Sequence, residues 1–325
     1  MDISRYAVGP ESYDKLSTYQ ISQFFERHKR AKRNGFNSHA ADILASTVSP
    51  TPMQGGSSYT VKADSNRVHK VVQFRYEKLD MKAIEQARQS YPDFIPVCES
   101  HSVYGDVFVY VWNLVPGPAF CRVRRQFLAP GMEQQLRRTV QDFAKFFASA
   151  WINRPIVEKP LDLFEEYSDI IDQLYQRLPI RFQPKLDEIR RGLPLLFRPS
   201  YPVVIQHDDL LENNIHVDEA SGHITGIVDW ASPIVAPFGV SLGGLETILG
   251  VQTSAKWHFH PNHMELRKHF WNTLYEEIGQ VSEDDRCSIE IARLFGLFRT
   301  YGFDDKLGII NLEAFCVSKS ESESI

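Results

Sequence analysis

Residues 203–218 read Val203-Val204-Ile205-Gln206-His207-Asp208-Asp209-Leu210-Leu211-Glu212-Asn213-Asn214-Ile215-His216-Val217-Asp218, and this stretch decides the fold. Three apolar residues at 203–205 predict a short buried strand, and a polar loop follows. Within the loop, His207 precedes Asp209 by two positions and Asn214 lies five beyond Asp209. Apolar residues at 215–217 and 224–228 flank the turn Glu219-Ala220-Ser221-Gly222, which predicts a hairpin. Its second strand ends in Asp229-Trp230, fifteen residues past Asn214. Asp and Asn are common in turns, so an isolated Asp-x-x-x-x-Asn carries little weight. Here the loop leaves one wholly apolar strand, and a second acid ends another.

That set suits phosphoryl transfer. The reacting phosphate is heavily charged and needs a hard cation across its oxygens. Such an ion takes oxygen ligands, here an Asp carboxylate and an Asn amide oxygen. A separate carboxylate must orient the attacking hydroxyl and accept its proton. Strand ends and the loop between them hold such groups while leaving their tips open.

Upstream, 14–46 has helical apolar spacing, with Leu16, Ile21, Phe24 and Phe25 on it. Ser49-Pro50-Thr51-Pro52-Met53-Gln54-Gly55-Gly56-Ser57-Ser58 is a loop, by its two prolines and two glycines. Strands are expected at 59–63 and 68–75, a short helix at 81–90, and a β-rich run at 103–114 broken by Gly105-Asp106. Val115-Pro116-Gly117-Pro118 ends that run. Downstream, 132–150, 162–178, 184–191 and most of 240–316 carry helical spacing. The expected architecture is α+β and two-lobed. It comprises an N-terminal helical extension (1–48), a β-rich lobe (49–117), a helical lobe (118–317) and a disordered tail (318–325).

The totals fit a soluble enzyme. Of 325 residues, 43% are hydrophobic and 24% charged, enough for roughly two domains' worth of core. A net charge of -5 argues against nucleic acid as a partner. The basic run Arg27-His28-Lys29-Arg30-Ala31-Lys32-Arg33 reads as a solvated helix face. The first residues lack a basic stretch followed by an apolar core, and no stretch of 18 apolar residues exists, so neither a signal peptide nor a membrane span is expected. The four cysteines form no C-x-x-C pair and fit reduced thiols in the cytoplasm. The patch Trp257-His258-Phe259-His260-Pro261-Asn262-His263 matches no zinc spacing and reads as a loop, with a substrate-contact loop whose aromatic holds a cationic amine as the alternative. Oligomeric state is not legible.

His207-x-Asp209-Leu210-x-x-x-Asn214, with Gly226-Ile227-Val228-Asp229-Trp230, resembles the aminoglycoside phosphotransferase and choline kinase group within the protein-kinase-like fold. The form of 54–75 and of 229–239 is similar to fungal members. The resemblance spans about 50–300 and implies ATP and Mg²⁺ as cofactors, with a small molecule as acceptor. It implies that Asp209 is the catalytic base, that Asn214 and Asp229 hold Mg²⁺, and that His207 braces the loop. It places Gly55, Gly56, Ser57 and Ser58 over the nucleotide phosphates and 110–114 as the hinge strand, where the backbone of Asn113 or a neighbour meets adenine.

Three positions depart from the family pattern. Asp208 stands where glycine is usual, adding charge beside Asp209. Ala231 stands where a further acid often follows the metal-binding Asp. The phosphate-binding lysine of the third strand is absent from Val71–Arg75, and Lys70 sits before that run. Along that strand 71, 73 and 75 share a face, so Gln73 and Arg75 stand in its place, with Glu85 as the candidate ion partner of Arg75. The main reading is an ATP- and Mg²⁺-dependent small-molecule kinase acting on a hydroxyl or amine, with secondary metabolism as a setting. The departures leave open a pseudokinase or nucleotide-binding scaffold, and a kinase-fold enzyme that uses phosphorylation to drive elimination or cyclisation.

Overall fold

Alternation of apolar and polar residues through 58–113 builds a sheet with two different faces. The computed structural model describes residues 2–27, 32–155, 157, 160–304 and 306–317. Of the basic run, only Arg27, Lys32 and Arg33 lie among them, and the tail 318–325 lies outside. The helical stretch at 14–46 is two helices, α1 (Pro10–Arg27) and α2 (Arg33–Leu44). The strands that follow are β1 (Val48–Pro50), β2 (Ser58–Ala63) and β3 (Lys70–Arg75). Helix α3 (Met81–Ser90) precedes the hairpin of β4 (Cys98–Tyr104) and β5 (Val107–Asn113). All pairs are antiparallel, in the spatial order β1-β2-β3-β5-β4.

One face of this sheet presents Tyr59, Val61, Val72, Phe74, Val109 and Val111 to Phe24, Phe36, Ala40 and Leu44 of α1 and α2. The other face carries Val71, Tyr110 and Trp112, which pack with Ile84 of α3. Asp80 caps α3 by accepting from the amides of Lys82 and Ala83. Gln73 and Arg75 lie on this second face by strand alternation.

The larger part is helical: α4 (Phe120–Phe127), α5 (Glu133–Ile152), α6 (Leu163–Arg177) and α7 (Gln183–Leu196), then, beyond a β insert, α8 (Leu245–Ile248), α9 (His263–Ile278) and α10 (Glu283–Tyr301). Strands β6 (Val203–His207), β7 (Ile215–Val217), β8 (Ile224–Ile227) and β9 (Pro233–Pro237) make the insert. The expected β7–β8 hairpin is present, and β6 pairs antiparallel with β9. Residues 257–263 are the short strand β11 (Trp257–Phe259), paired with β10 (Gly250–Gln252), and the start of α9. No described helix is long and apolar enough to cross a membrane, and the four cysteines are free.

The core runs from Phe143, Phe146 and Phe147 of α5 through Ile205, Ile227 and Trp230 to Ile289, Phe295 and Phe298 of α10. At Gly296, α10 passes so close to residue 240 that a Cβ would sit 1.8 Å from the Val240 carbonyl oxygen. In an unhindered helix Gly→Ala stabilises by about 1 kcal/mol. Here Gly296→Ala is expected to destabilise by roughly 1–3 kcal/mol through overpacking, read as a lower midpoint in urea unfolding.

Candidate active site

Strand β6 places His207 at its buried end, and the loop after it is built around that imidazole. The Asp209 backbone N–H donates to His207 Nδ1 (3.1 Å), so the ring proton is on Nε2, which donates to the Val228 carbonyl (2.9 Å). One side chain thus ties the Asp209 loop to the end of β8. Burial pushes the His207 pKa down, which favours the neutral tautomer. Its ring meets Trp230 edge to face at 4.8 Å, and Trp230 anchors itself by donating Nε1–H to the Ile227 carbonyl (3.0 Å).

The loop closes on its own backbone. The Leu211 amide (3.0 Å) and Asn214 Nδ2 (2.8 Å) both donate to the Asp209 carbonyl. That fixes Asn214 with its amide oxygen towards Asn213, whose Nδ2 donates to it (3.0 Å). Val228 donates to the Asn214 carbonyl (2.9 Å), so Asn214 and Asp229 end neighbouring strands. Asp229 has φ 66°, a left-handed conformation that Asp tolerates better than bulkier residues. Among the described residues, the carboxylates of Asp209 and Asp229 make no hydrogen bond or ion pair. Both border one cavity of about 510 Å³.

Asp208 pairs with Arg299 of α10 (2.8 Å) and still adds its negative charge beside Asp209. The Asp209 pKa is raised, chiefly because the surrounding protein desolvates the carboxyl. His207 opposes that shift, and the negative charges of Asp229, Asp208 and Glu212 add to it. Ala231 packs beside the cluster under the sheet.

The sheet supplies the opposite wall. The loop 51–57 is pinned by Gln54, a buried side chain that sequence reading missed. Its Nε2 donates to the Thr60 carbonyl (2.8 Å), and its Oε1 accepts from the Thr60 amide (3.0 Å). Gly55, Gly56 and Ser58 border the cavity. A Cβ at Gly56 would meet no protein atom within 4 Å, so packing within the chain does not demand glycine there.

Gln73 borders the cavity and holds a neutral network: Trp112 Nε1 donates to its Oε1 (3.2 Å), and its amide nitrogen reaches the Ser58 hydroxyl (3.4 Å). Arg75, opposite Ser58 on β2, is only 6% exposed and donates to the Ser57 hydroxyl (3.0 Å). Its Nε is buried without a partner, and no carboxylate pairs with it among the described residues. The expected Arg75–Glu85 pair does not form. Glu85 faces solvent one turn away from Arg88 and pairs with it (2.9 Å). Asn113 borders the cavity, but its amide donates to the Val97 carbonyl (2.9 Å) and that of Leu114 to His69 (2.9 Å). Val115, also on the cavity, has an amide with no acceptor among the described residues.

A two-lobed α+β fold with an Asp/Asn loop facing a glycine loop across one cleft is the protein-kinase-like arrangement. The model of the phosphotransferase enzyme family matches residues 58–232, more than half of the chain, and the chain belongs to that family. No curated protein sequence matches it. Among solved structures, it is similar to an amicoumacin kinase in complex with AMP-PNP, Ca²⁺ and Ami, at 14% identity and TM-score 0.54, over 85% of this chain and 87% of the other. It is also similar to a choline/ethanolamine kinase family protein from Mesorhizobium loti, at 16% identity and TM-score 0.53, over 83% and 84%. A third is an ethanolamine kinase of Plasmodium vivax, at 13% identity and TM-score 0.52, over 83% and 82%. At these identities the likeness bears on the fold.

Proposed function

We propose that this phosphotransferase moves the γ-phosphoryl group of ATP to a hydroxyl of a small molecule, with Mg²⁺ held by Asn214 and Asp229. The observation that carries the reading is the pair of unpartnered carboxylates, Asp209 and Asp229, facing the glycine loop across one cavity. The donors suit a hard divalent ion: an unpartnered carboxylate and an amide oxygen with a lone pair left over. Bound there, Mg²⁺ supplies positive charge against the phosphate oxygens. Asp209 orients the acceptor hydroxyl and takes its proton on a carboxylate oxygen. His207 keeps the loop backbone in place, and the open space at Gly56 lets the loop backbone approach phosphates.

The cation expected on the third strand is Arg75. A buried guanidinium without a carboxylate is costly; Arg75 and Ser57 themselves do not border the cavity, so Arg75 acts on a bound nucleotide through the loop that its bond to Ser57 holds. Adenine recognition falls to the free amide of Val115. Arg75→Met is expected to weaken Mg²⁺–ATP binding roughly ten- to hundredfold, the worth of a charge-assisted hydrogen bond. Titration calorimetry checks this, with Glu85→Ala unchanged as the control. The neutral Gln73 network keeps a second reading alive, a nucleotide-binding scaffold. ATP binding with no product from any acceptor would select it.

A further inference from the structure

Four charged residues border the cleft: Lys62, Arg122, Asp209 and Asp229. The two acids are assigned above to base and metal. The other acids nearby are ion-paired: Asp208 with Arg299, Glu212 with Arg124 (2.8 Å) and the buried Glu246 with Arg267 (2.7 Å). A cationic acceptor would need spare carboxylates or an open aromatic face. The aromatic rings on the cleft are Trp112 and Trp230. Trp230 is buried between Tyr91 and His207, and Trp112 is buried and bonded to Gln73 at the hinge end.

Arg122 has the opposite character. It lies in the first turn of α4, and the neighbouring Cys121 amide donates to the Glu212 carbonyl (3.1 Å), which sets Arg122 beside the Asp209–Asn214 loop. Gln20 of α1 borders the same cavity. The partner of Arg122 is Asp14, held through a single Nη1–Oδ1 contact (2.8 Å); the arginine side chain is 17% exposed and the acid 60%. A guanidinium engaged through one nitrogen keeps the rest of its fork for a ligand.

Resting on the phosphotransferase reading, we infer that the acceptor is an alcohol bearing an anionic group, and that Arg122 meets that charge. Amine alcohols are disfavoured, because the cleft offers them no partner beyond Asp209 and Asp229. The test is binding of matched alcohols to the Mg²⁺–AMP-PNP complex of the full chain, measured by calorimetry. The probes are glycolate, ethylene glycol and ethanolamine; glucuronate, glucose and glucosamine; and benzyl alcohols carrying a 4-carboxyl, no substituent or a 4-aminomethyl group.

The expected order in any scaffold that binds is anion over neutral over cation, with at least about tenfold between the ends. Arg122→Glu is expected to reverse the order while AMP-PNP affinity stays within about twofold. A preference for the amines, equal or unmeasurable binding throughout, or an order unchanged in Arg122→Glu would overturn the inference. So would a large loss of AMP-PNP affinity in that variant, which would assign Arg122 to the nucleotide. Failure of the wild-type chain to bind AMP-PNP would instead remove the phosphotransferase reading itself.

Discussion

Asp209→Ala is expected to lower phosphoryl transfer by roughly 10²–10⁴-fold, the usual worth of a positioned general base. The change is clean, because the hydrogen bonds that Asp209 gives to the loop all use its backbone. Its amide donates to His207 Nδ1, and its carbonyl accepts from Leu211 and Asn214. The carboxylate makes none among the described residues. Asp209→Asn adds a stability readout. A folded-state pKa above the ordinary 3.8 means the native state binds that proton more tightly than the unfolded chain does. At pH values above the folded pKa the charged carboxylate therefore costs stability. Near pH 7–8 the Asn variant should melt no lower than the wild type, and slightly higher, while losing turnover. A thermal scan paired with an ADP-release assay reads both.

Asp229→Asn carries the second large effect. Asn keeps the size of the side chain and tolerates the left-handed φ of 66°, so the backbone is not the variable. What disappears is the charge that would hold Mg²⁺ beside Asn214. A metal ion at a phosphoryl oxygen is worth several kcal/mol, so transfer at fixed Mg²⁺ should fall about a thousandfold. Raising Mg²⁺ should restore part of it. A variant with wild-type turnover and Mg²⁺ dependence would remove Asp229 from the metal site.

The parts of the fold legible in sequence were those set by local signals. The helix at 81–90 is capped by its own Asp80, and the hairpin expected within 103–114 turns at Gly105-Asp106, although its first strand already begins at Cys98. Strand β9 escaped because it begins and ends with proline, which argues against a strand, yet it pairs with β6 across some thirty residues. Helix α4 escaped because its eight residues carry three arginines on a short apolar stripe. The same division holds in the site. Asp209, Asn214 and Asp229 lie close in sequence, on strands joined by one hairpin. Their electrostatic setting does not: Asp208 is paired with a residue 91 positions away, and Arg122 with one 108 away. The charge that Asp208 adds beside Asp209 is legible in sequence, while its ion pair with Arg299 is not. The Arg75–Glu85 pairing failed because the nearer Arg88, one helical turn along, takes the carboxylate.

The central claim is transfer of a phosphoryl group to a small-molecule alcohol through Asp209 and the Asn214/Asp229 site. The most direct test is Mg²⁺-dependent ADP formation from ATP across a library of hydroxyl compounds, with the phosphorylated product identified by mass. Product is expected with at least one alcohol, abolished by chelating Mg²⁺ and reduced at least about a hundredfold in Asp209→Ala. Transfer that persists undiminished in Asp209→Ala, or no ADP with any alcohol from a chain that binds Mg²⁺–ATP, would contradict it.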